Sequence, residues 1–385
     1  MKAYLPYGRQ SIDQADIDAV VAVLRGDWLT TGPTVERFEA AVADYVGAAH
    51  AVCFSSGTAA LHGAMHVAGV APGDVVVVPP LTFAATSNAA LYCGGTPLFA
   101  DIAADTLCMD PIAAQAVMRR AEGPVRAVVP VSFAGYPVDL EAFRPIAAQA
   151  DALLIEDASH ALGAERRGKR VGCEADMTVF SFHPVKHITT AEGGMVATNS
   201  GEFAKRLRTF RTHGIVKSPA DFVRPYAGAW DNDMIELGYN YRLSDIACAL
   251  GESQMRRLPF FVERRREIAR LYREYLPQVA GVTLPPAHPG HAYHLFPVWV
   301  TPACRRDVFM RLREAGIGVQ VHYVPVHLHT YYRNRFGFSE GAFPEAERYS
   351  AGELSLPMYP DMTDDDVRSV ADALAEALRG QASSS

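Results

Sequence analysis

Short, apolar, β-rich runs alternate with stretches of helical periodicity between residues 51 and 198. The runs cover 51–55, 75–78, 97–100, 125–131, 152–155, 177–182 and 194–198, with helices predicted between them over 58–67, 82–92, 111–120 and 140–149. Such alternation predicts a mostly parallel sheet covered by helices. Ahead of it, 12–24 and 34–45 read as amphipathic helices, the first with Ser11 as its cap. Beyond Ser244 the texture changes to long Arg-rich helices, with Pro259 expected to end one and begin the next. Strands near 293–300 and 318–322 and helices near 305–315 and 364–378 complete the pattern. The fold class is therefore α/β. We expect a large domain over 1–250 with a mostly parallel central sheet, a smaller C-terminal α/β domain over 251–380, and a disordered tail over 381–385.

Composition narrows the function. A chain of 385 residues with 49% hydrophobic and 21% charged residues is an ordinary soluble globular protein, too long for one core. The formal charge of -7 argues against a nucleic-acid or anionic-membrane surface and is easier to reconcile with a small anionic ligand. The stretch between Asp74 and Asp101 carries no formal charge, but Pro79, Pro80, Asn88, Gly94, Gly95 and Pro97 divide it into the pieces of a buried α/β core rather than a membrane span. The six cysteines lack C-x-x-C spacing and read as reduced packing residues; with no apolar signal region at the N-terminus, a cytoplasmic location is expected. No metal is expected, because the helical pair His62 and His66 has no carboxylate motif beside it. No G-x-G-x-x-G follows a predicted strand, which weakens a nicotinamide-dependent reading.

The candidate chemistry lies at 181–194, Ser-Phe-His-Pro-Val-Lys-His-Ile-Thr-Thr-Ala-Glu-Gly-Gly, which sets Lys186 in a tight turn between two apolar runs. A lone lysine after a strand is ordinarily a solvated amine, and a lone Asp a cap or turn residue. Asp157, however, follows the run at 152–155, and ligands of open parallel sheets sit beyond the carboxyl ends of the strands. An imine-forming lysine and a carboxylate able to hold a pyridinium proton together suggest pyridoxal phosphate. Ser56, Gly57 and Thr58 open a helix and could cradle its phosphate, with Ser181 adding a hydroxyl. Phe83 could lie flat on its ring and His160 could touch the ring or its 3-oxygen; one ligand explains all of these signals.

On the motifs Ser56-Gly57-Thr58-Ala59-Ala60-Leu61, Glu156-Asp157-Ala158-Ser159-His160-Ala161, Ser181 to Lys186, Glu192-Gly193-Gly194 and Gly238-Tyr239-Asn240-Tyr241-Arg242-Leu243, the chain resembles the DegT-type sugar aminotransferases of fold type I. The segments 183–194, 234–240 and 320–323 are most similar to the pseudaminic acid pathway branch of that family. The resemblance implies transfer of an amino group from L-glutamate to C4 of a UDP-linked 4-keto-6-deoxy-N-acetylhexosamine. It implies that Lys186 carries the cofactor, that Asp157 pairs with its ring nitrogen, and that Ser181 and Gly57 line the phosphate and substrate region. Substrate contacts are implied at Tyr7, Asp27, Trp28, Leu29, Thr30, Gln320, Val321, His322 and Tyr323. Asn240 matches a position that reaches the partner's site, which implies a homodimer. The competing readings are a transaminase for another nucleotide-linked keto sugar, a dehydratase of the same fold, whose members differ by a histidine at the Lys186 position, and a cofactor-binding regulator without turnover.

Overall fold

The computed structural model describes residues 4–382. Its central sheet has seven strands: β1 His50–Phe54, β2 Val75–Val78, β3 Thr96–Phe99, β4 Val125–Val128, β5 Leu153–Asp157, β6 Met177–Ser181 and β7 Gly194–Thr198. In space they run β1-β7-β6-β5-β4-β2-β3. Only β7 is antiparallel to its neighbours, and every other pair is parallel.

A parallel sheet needs both faces covered, and β2 meets that need with four successive valines. Val76 and Val78 join Val52, Phe54, Ile155 and Val179 under helices α3 (Gly57–Val67), α4 (Ala84–Tyr92) and α7 (Gly201–Phe210). Val75 and Val77 face the other way, against α5 (Pro111–Met118) and α6 (Leu140–Gln149). Cys53, Phe180 and Met195 on that same side pack on α2 (Pro33–Val46) and α8 (Asp245–Tyr275). Period-two alternation thus sends each strand into two cores, each buried branched side chain contributing roughly 1.5–3 kcal/mol.

Four local expectations are corrected. Helix α1 (Gln14–Leu24) is capped by Asp13 in a reciprocal capping box with Asp16, whereas Ser11 is buried and its carbonyl accepts from Gln254 Nε2 at 2.9 Å. Pro259 does not end a helix: α8 continues for 31 residues. It is held on the sheet side by Leu258, Phe261 and Val262 and beyond the proline by Ile268, Ala269 and Tyr272, contacts that outweigh the one backbone donor a proline lacks. The strand expected over 318–322 is a single bridge, Gln320 to Ser355, because the preceding backbone pairs instead with the N-terminal segment at Leu5. Of the tail expected to be disordered over 381–385, Gln381 and Ala382 finish helix α12 (Asp364–Ala382), and 383–385 lie outside the described residues.

The C-terminal part centres on an antiparallel sheet of β8 Val282–Thr283, β9 Phe296–Val300 and β10 Glu353–Leu356, covered by α9 (Pro302–Glu314) and α12. The remaining helices are α10 (Thr330–Phe336) and α11 (Pro344–Gly352). Helix α8 crosses position 250 and feeds both cores. Among the described residues no helix is long and apolar enough to cross a membrane, and no group of three or more His, Cys, Asp or Glu side chains could hold a metal ion.

One buried ion pair ties β1 to the helices on either side. Glu39 of α2 accepts the Cys53 N–H at 2.9 Å and pairs with Arg211, whose guanidinium also donates to the Cys53 carbonyl at 2.6 Å. Replacing Arg211 with Met strands the Glu39 carboxylate, with only the half-exposed Arg208 nearby at 3.3 Å. Urea denaturation of Arg211→Met is expected to read a loss of about 3 kcal/mol.

Candidate active site

Strands β5 and β6 are adjacent and parallel, with Asp157 opposite Val179. Asp157 ends β5 and Ser181 ends β6, so both project beyond the carboxyl edge of the sheet. The chain then loops to Lys186 before returning as β7. That loop is knitted by its own polar groups: Lys186 N–H donates to the His183 carbonyl at 2.9 Å, and Thr189 Oγ1 and Thr190 N–H donate to the Phe182 carbonyl at 3.1 Å. Lys186, Asp157, Ser181 and the start of α3 line one cavity of about 390 Å³.

The Asp157 carboxylate is fixed from two directions. Thr86 Oγ1 donates to Oδ2 at 2.7 Å, the Ser159 N–H donates to Oδ1 at 3.1 Å, and Thr82 buttresses Thr86 at 2.8 Å. Lys186 Nζ lies 3.4 Å from His294 Nε2. Burial pushes the lysine down to about 7, with Asp157 opposing the shift and the Arg265 cation reinforcing it. Arg265 is itself fully buried and donates to the carbonyls of Met358 (2.8 Å), Tyr293 (3.2 Å), His294 (3.3 Å) and Val185 (3.4 Å). It thereby pins the lysine loop to the C-terminal core.

Opposite the lysine, Ser56 caps α3 by accepting from the Ala59 N–H at 3.1 Å, leaving the first turn at Gly57 and Thr58 facing the cavity. A Cβ at position 57 would stand 3.0 Å from Ser181 Cβ, so only glycine lets the Ser181 hydroxyl come so close to the helix end. The Thr58 and Ser181 hydroxyls carry no hydrogen bond among the described residues, as suits donors for an anion. Phe83 begins α4 with 60% of its surface exposed on the cavity. Hydroxyls at a helix end, a free aromatic face, a fixed carboxylate and a proton-poor lysine fit a phosphate-bearing aromatic ring.

Hydrogen bonds also fix a tautomer. His160 Nδ1 accepts the Ala134 N–H at 3.3 Å, so its neutral ring carries the proton on Nε2 and donates to Tyr323 Oη at 3.1 Å. Burial, then Lys186, hold His160 well below the usual range and keep it neutral. Burial likewise raises the Tyr323 phenol far above its ordinary value, so its own hydrogen is left to donate.

Of the sequence-predicted residues, Tyr7, Ser56, Gly57, Thr58, Phe83, Asp157, His160, Ser181, Lys186, His322 and Tyr323 share this cavity. Gln320 is exposed and bridges Ser355, and neither it nor Val321 lines the cavity. Asp27, Trp28, Leu29 and Thr30 lie exposed between α1 and α2, and Asn240 is exposed beside Thr212, all outside this chain's own cavity. Thr82, Thr86, Val131, Ser159 and His294 line the cavity without having been predicted. Thr86, one turn after Phe83, could have been found by helical spacing; His294 had no local signal, lying 108 residues from Lys186.

The model of the DegT/DnrJ/EryC1/StrS aminotransferase family matches residues 10–375. A UDP-4-amino-4,6-dideoxy-N-acetyl-beta-L-altrosamine transaminase from Campylobacter jejuni subsp. jejuni serotype O:23/36 is 40% identical over 379 residues, 97% of each chain. Among solved structures, Helicobacter pylori PseC, an aminotransferase involved in the biosynthesis of pseudoaminic acid, superposes with a TM-score of 0.89 at 31% identity, covering 98% of this chain and 100% of that one. The PLP-form of Spr1654, a putative sugar aminotransferase from Streptococcus pneumoniae, gives 0.90 at 28% identity over 98% and 99% of the two chains.

The displaced lysine predicts a measurable reactivity. Because burial favours the neutral amine, Lys186 in the ligand-free protein should be acylated with a midpoint near pH 7, against 10.5 for an ordinary lysine. Peptide mapping after brief acylation across a pH series is expected to place Lys186 well ahead of every surface lysine at neutral pH.

Proposed function

Because the chain belongs to the DegT/DnrJ/EryC1/StrS aminotransferase family, we propose that it is a pyridoxal-phosphate-dependent nucleotide-sugar transaminase. It moves the amino group of L-glutamate to C4 of a UDP-linked 4-keto-6-deoxy-N-acetylhexosamine, giving UDP-4-amino-4,6-dideoxy-N-acetyl-β-L-altrosamine for pseudaminic acid biosynthesis. The observation that carries the reading is the meeting of Lys186 and Asp157 with the N-terminus of α3 in one cavity. The substrate assignment is supported by the near-full-length likeness to a transaminase of that name and by the similar fold of the PseC structure.

Pyridoxal phosphate, when bound, supplies an electron sink and a carrier for the amino group. Asp157, whose oxygens retain acceptor capacity beyond the Thr86 and Ser159 bonds, would hold the proton of the ring nitrogen. Ser56, Gly57, Thr58 and Ser181 would hold the phosphate, with Phe83 against the ring face. His160 orients Tyr323 so that the phenol donates within the cavity. Lys186 would carry the cofactor, and its amine, pushed down to about 7 by burial, would take and return the proton that moves during transfer.

Tyr7, His322 and Tyr323 contact the sugar substrate from within the chain. Asn240, together with Asp27 to Thr30, Gln320 and Val321, completes the site in a homodimer, with Asn240 contributed across the interface. Support for that assembly lies in the position of Asn240 outside its own cavity and in the exposure of the large apolar side chains Trp28, Leu29, Trp230, Met234 and Leu237. We place the reaction in the cytoplasm, with neither nucleic acid nor membrane as partner, in keeping with the net charge of -7.

Borohydride reduction of the holoenzyme followed by peptide mapping should find the cofactor on Lys186; a label elsewhere rejects the assignment. Lys186→Ala should lose at least roughly 10²–10⁴-fold in amino transfer, the scale of positioned acid–base catalysis. Asp157→Asn should fold normally yet lose about 10²–10³-fold, as for one electrostatic contact at a reacting centre. Incubation with glutamate and a panel of UDP-, GDP- and dTDP-linked 4-keto sugars, read by mass and NMR, tests the substrate. Amination of a different sugar in place of the UDP-linked one would overturn that part alone.

A further inference from the structure

In the wall of the cavity a carboxyl, a hydroxyl and an imidazole stand in series. Glu353 and Ser355 project from the same face of β10, both completely buried. Glu353 Oε2 accepts the backbone N–H of His322 at 2.7 Å, and its Oε1 lies 2.6 Å from Ser355 Oγ. Ser355 Oγ in turn lies 2.8 Å from His322 Nδ1. The paired backbones of Gln320 and Ser355 hold the two segments together. His322 lines the cavity, and its Nε2 carries no hydrogen bond among the described residues. Glu353 has no cation at ion-pair distance among the described residues, so this buried carboxyl is not there to neutralise one.

We propose that Glu353, Ser355 and His322 form a proton relay that opens into the amino-transfer cavity at His322 Nε2 and stores its proton on Glu353. The inference rests on reading the cavity as the transamination site. With Glu353 ionised, Ser355 donates to Oε1 and accepts from Nδ1–H, which leaves Nε2 as a bare acceptor. A proton arriving at Nε2 forms an N–H bond there. Nδ1 releases its proton to Ser355 Oγ, and Ser355 passes its own hydroxyl proton to Glu353. At the end Glu353 donates to Ser355, Ser355 donates to Nδ1, and Nε2–H faces the cavity. One proton has entered, one O–H has formed on the carboxyl, and the imidazole is neutral before and after.

Burial explains why the proton rests on the carboxyl. It pushes Glu353 up to about 8, against the Ser355 hydroxyl, the His322 N–H and the charge of Arg305 on α9, all of which favour the anion. Burial, and then Lys186, push His322 down to about 3, so an imidazolium is disfavoured. The other groups that face the relay, Tyr7, Tyr323 and Tyr349, are phenols raised by burial and stay neutral. Amino transfer must deliver a proton to the departing carbonyl oxygen, and the relay supplies one without placing a second cation beside Lys186.

The test is ¹⁵N NMR of histidine-labelled protein free of cofactor and substrate, with the His322 signals assigned by their loss in His322→Gln. Across a pH series bracketing about 8, His322 should change from the Nε2–H to the Nδ1–H tautomer with no imidazolium signal. Glu353→Gln, whose amide oxygen accepts the His322 N–H so that its NH2 turns to Ser355 and donates there, should hold the Nε2–H tautomer at every pH. Ser355→Ala should abolish the pH dependence. A single tautomer throughout in the parent protein, an imidazolium on the way, or an unaltered switch in Glu353→Gln overturns the relay. The readout needs no bound cofactor, so its failure is separate from that of the borohydride mapping.

Discussion

The parallel pairing of β5 with β6 sets where the other functional groups must stand. Their register brings Asp157 and Ser181 out at the same edge of the sheet, and the chain leaves that edge through the loop that holds Lys186. A slip of one residue would turn Asp157 to the opposite face, with Glu156 in its place. Glu156 is instead buried behind the sheet, where its Oε1 accepts from Ser132 Oγ at 2.5 Å. The valines of β2 and the helices above and below hold the register by filling both faces. The start of α3 at Gly57 and Thr58 is positioned by the same packing.

The second organising condition is the burial of the groups around the lysine. His160, His187, His294 and His322 are all buried and all held below the ordinary histidine range, so four rings near Lys186 act as neutral donors and acceptors. Arg265 keeps a charge behind them, its two terminal nitrogens donating to carbonyls rather than to a carboxylate. A lysine in such surroundings surrenders its proton easily. None of the four rings therefore adds a second cation beside the lysine.

Local pattern was enough to find the alternating strands and helices, the β2 valine run, and the pair Lys186 and Asp157. Each is announced by neighbours a few residues away. Thr86 and His294 meet their partners across 71 and 108 residues, and Glu353 meets the His322 backbone across 31, so only the fold brings them together. Pro259 misled because a local helix breaker was overridden by two cores gripping the same helix. Ser11 misled for a smaller reason: Asp13 and Asp16 can satisfy each other's helix end, which a single serine cannot do. Asn240 and the segment around Trp28, both named from the family resemblance, lie outside the cavity of their own chain.

The continuity of α8 has a mechanical consequence. At 31 residues it is a spar of about 46 Å, embedded at one end under the large sheet and at the other in the C-terminal core, with Arg265 bolted between them. The two cores cannot swing apart about a flexible joint without bending that spar or tearing the guanidinium from its carbonyls. Relative motion at the cavity thus belongs to the peripheral loops at its rim rather than to a hinge between the cores.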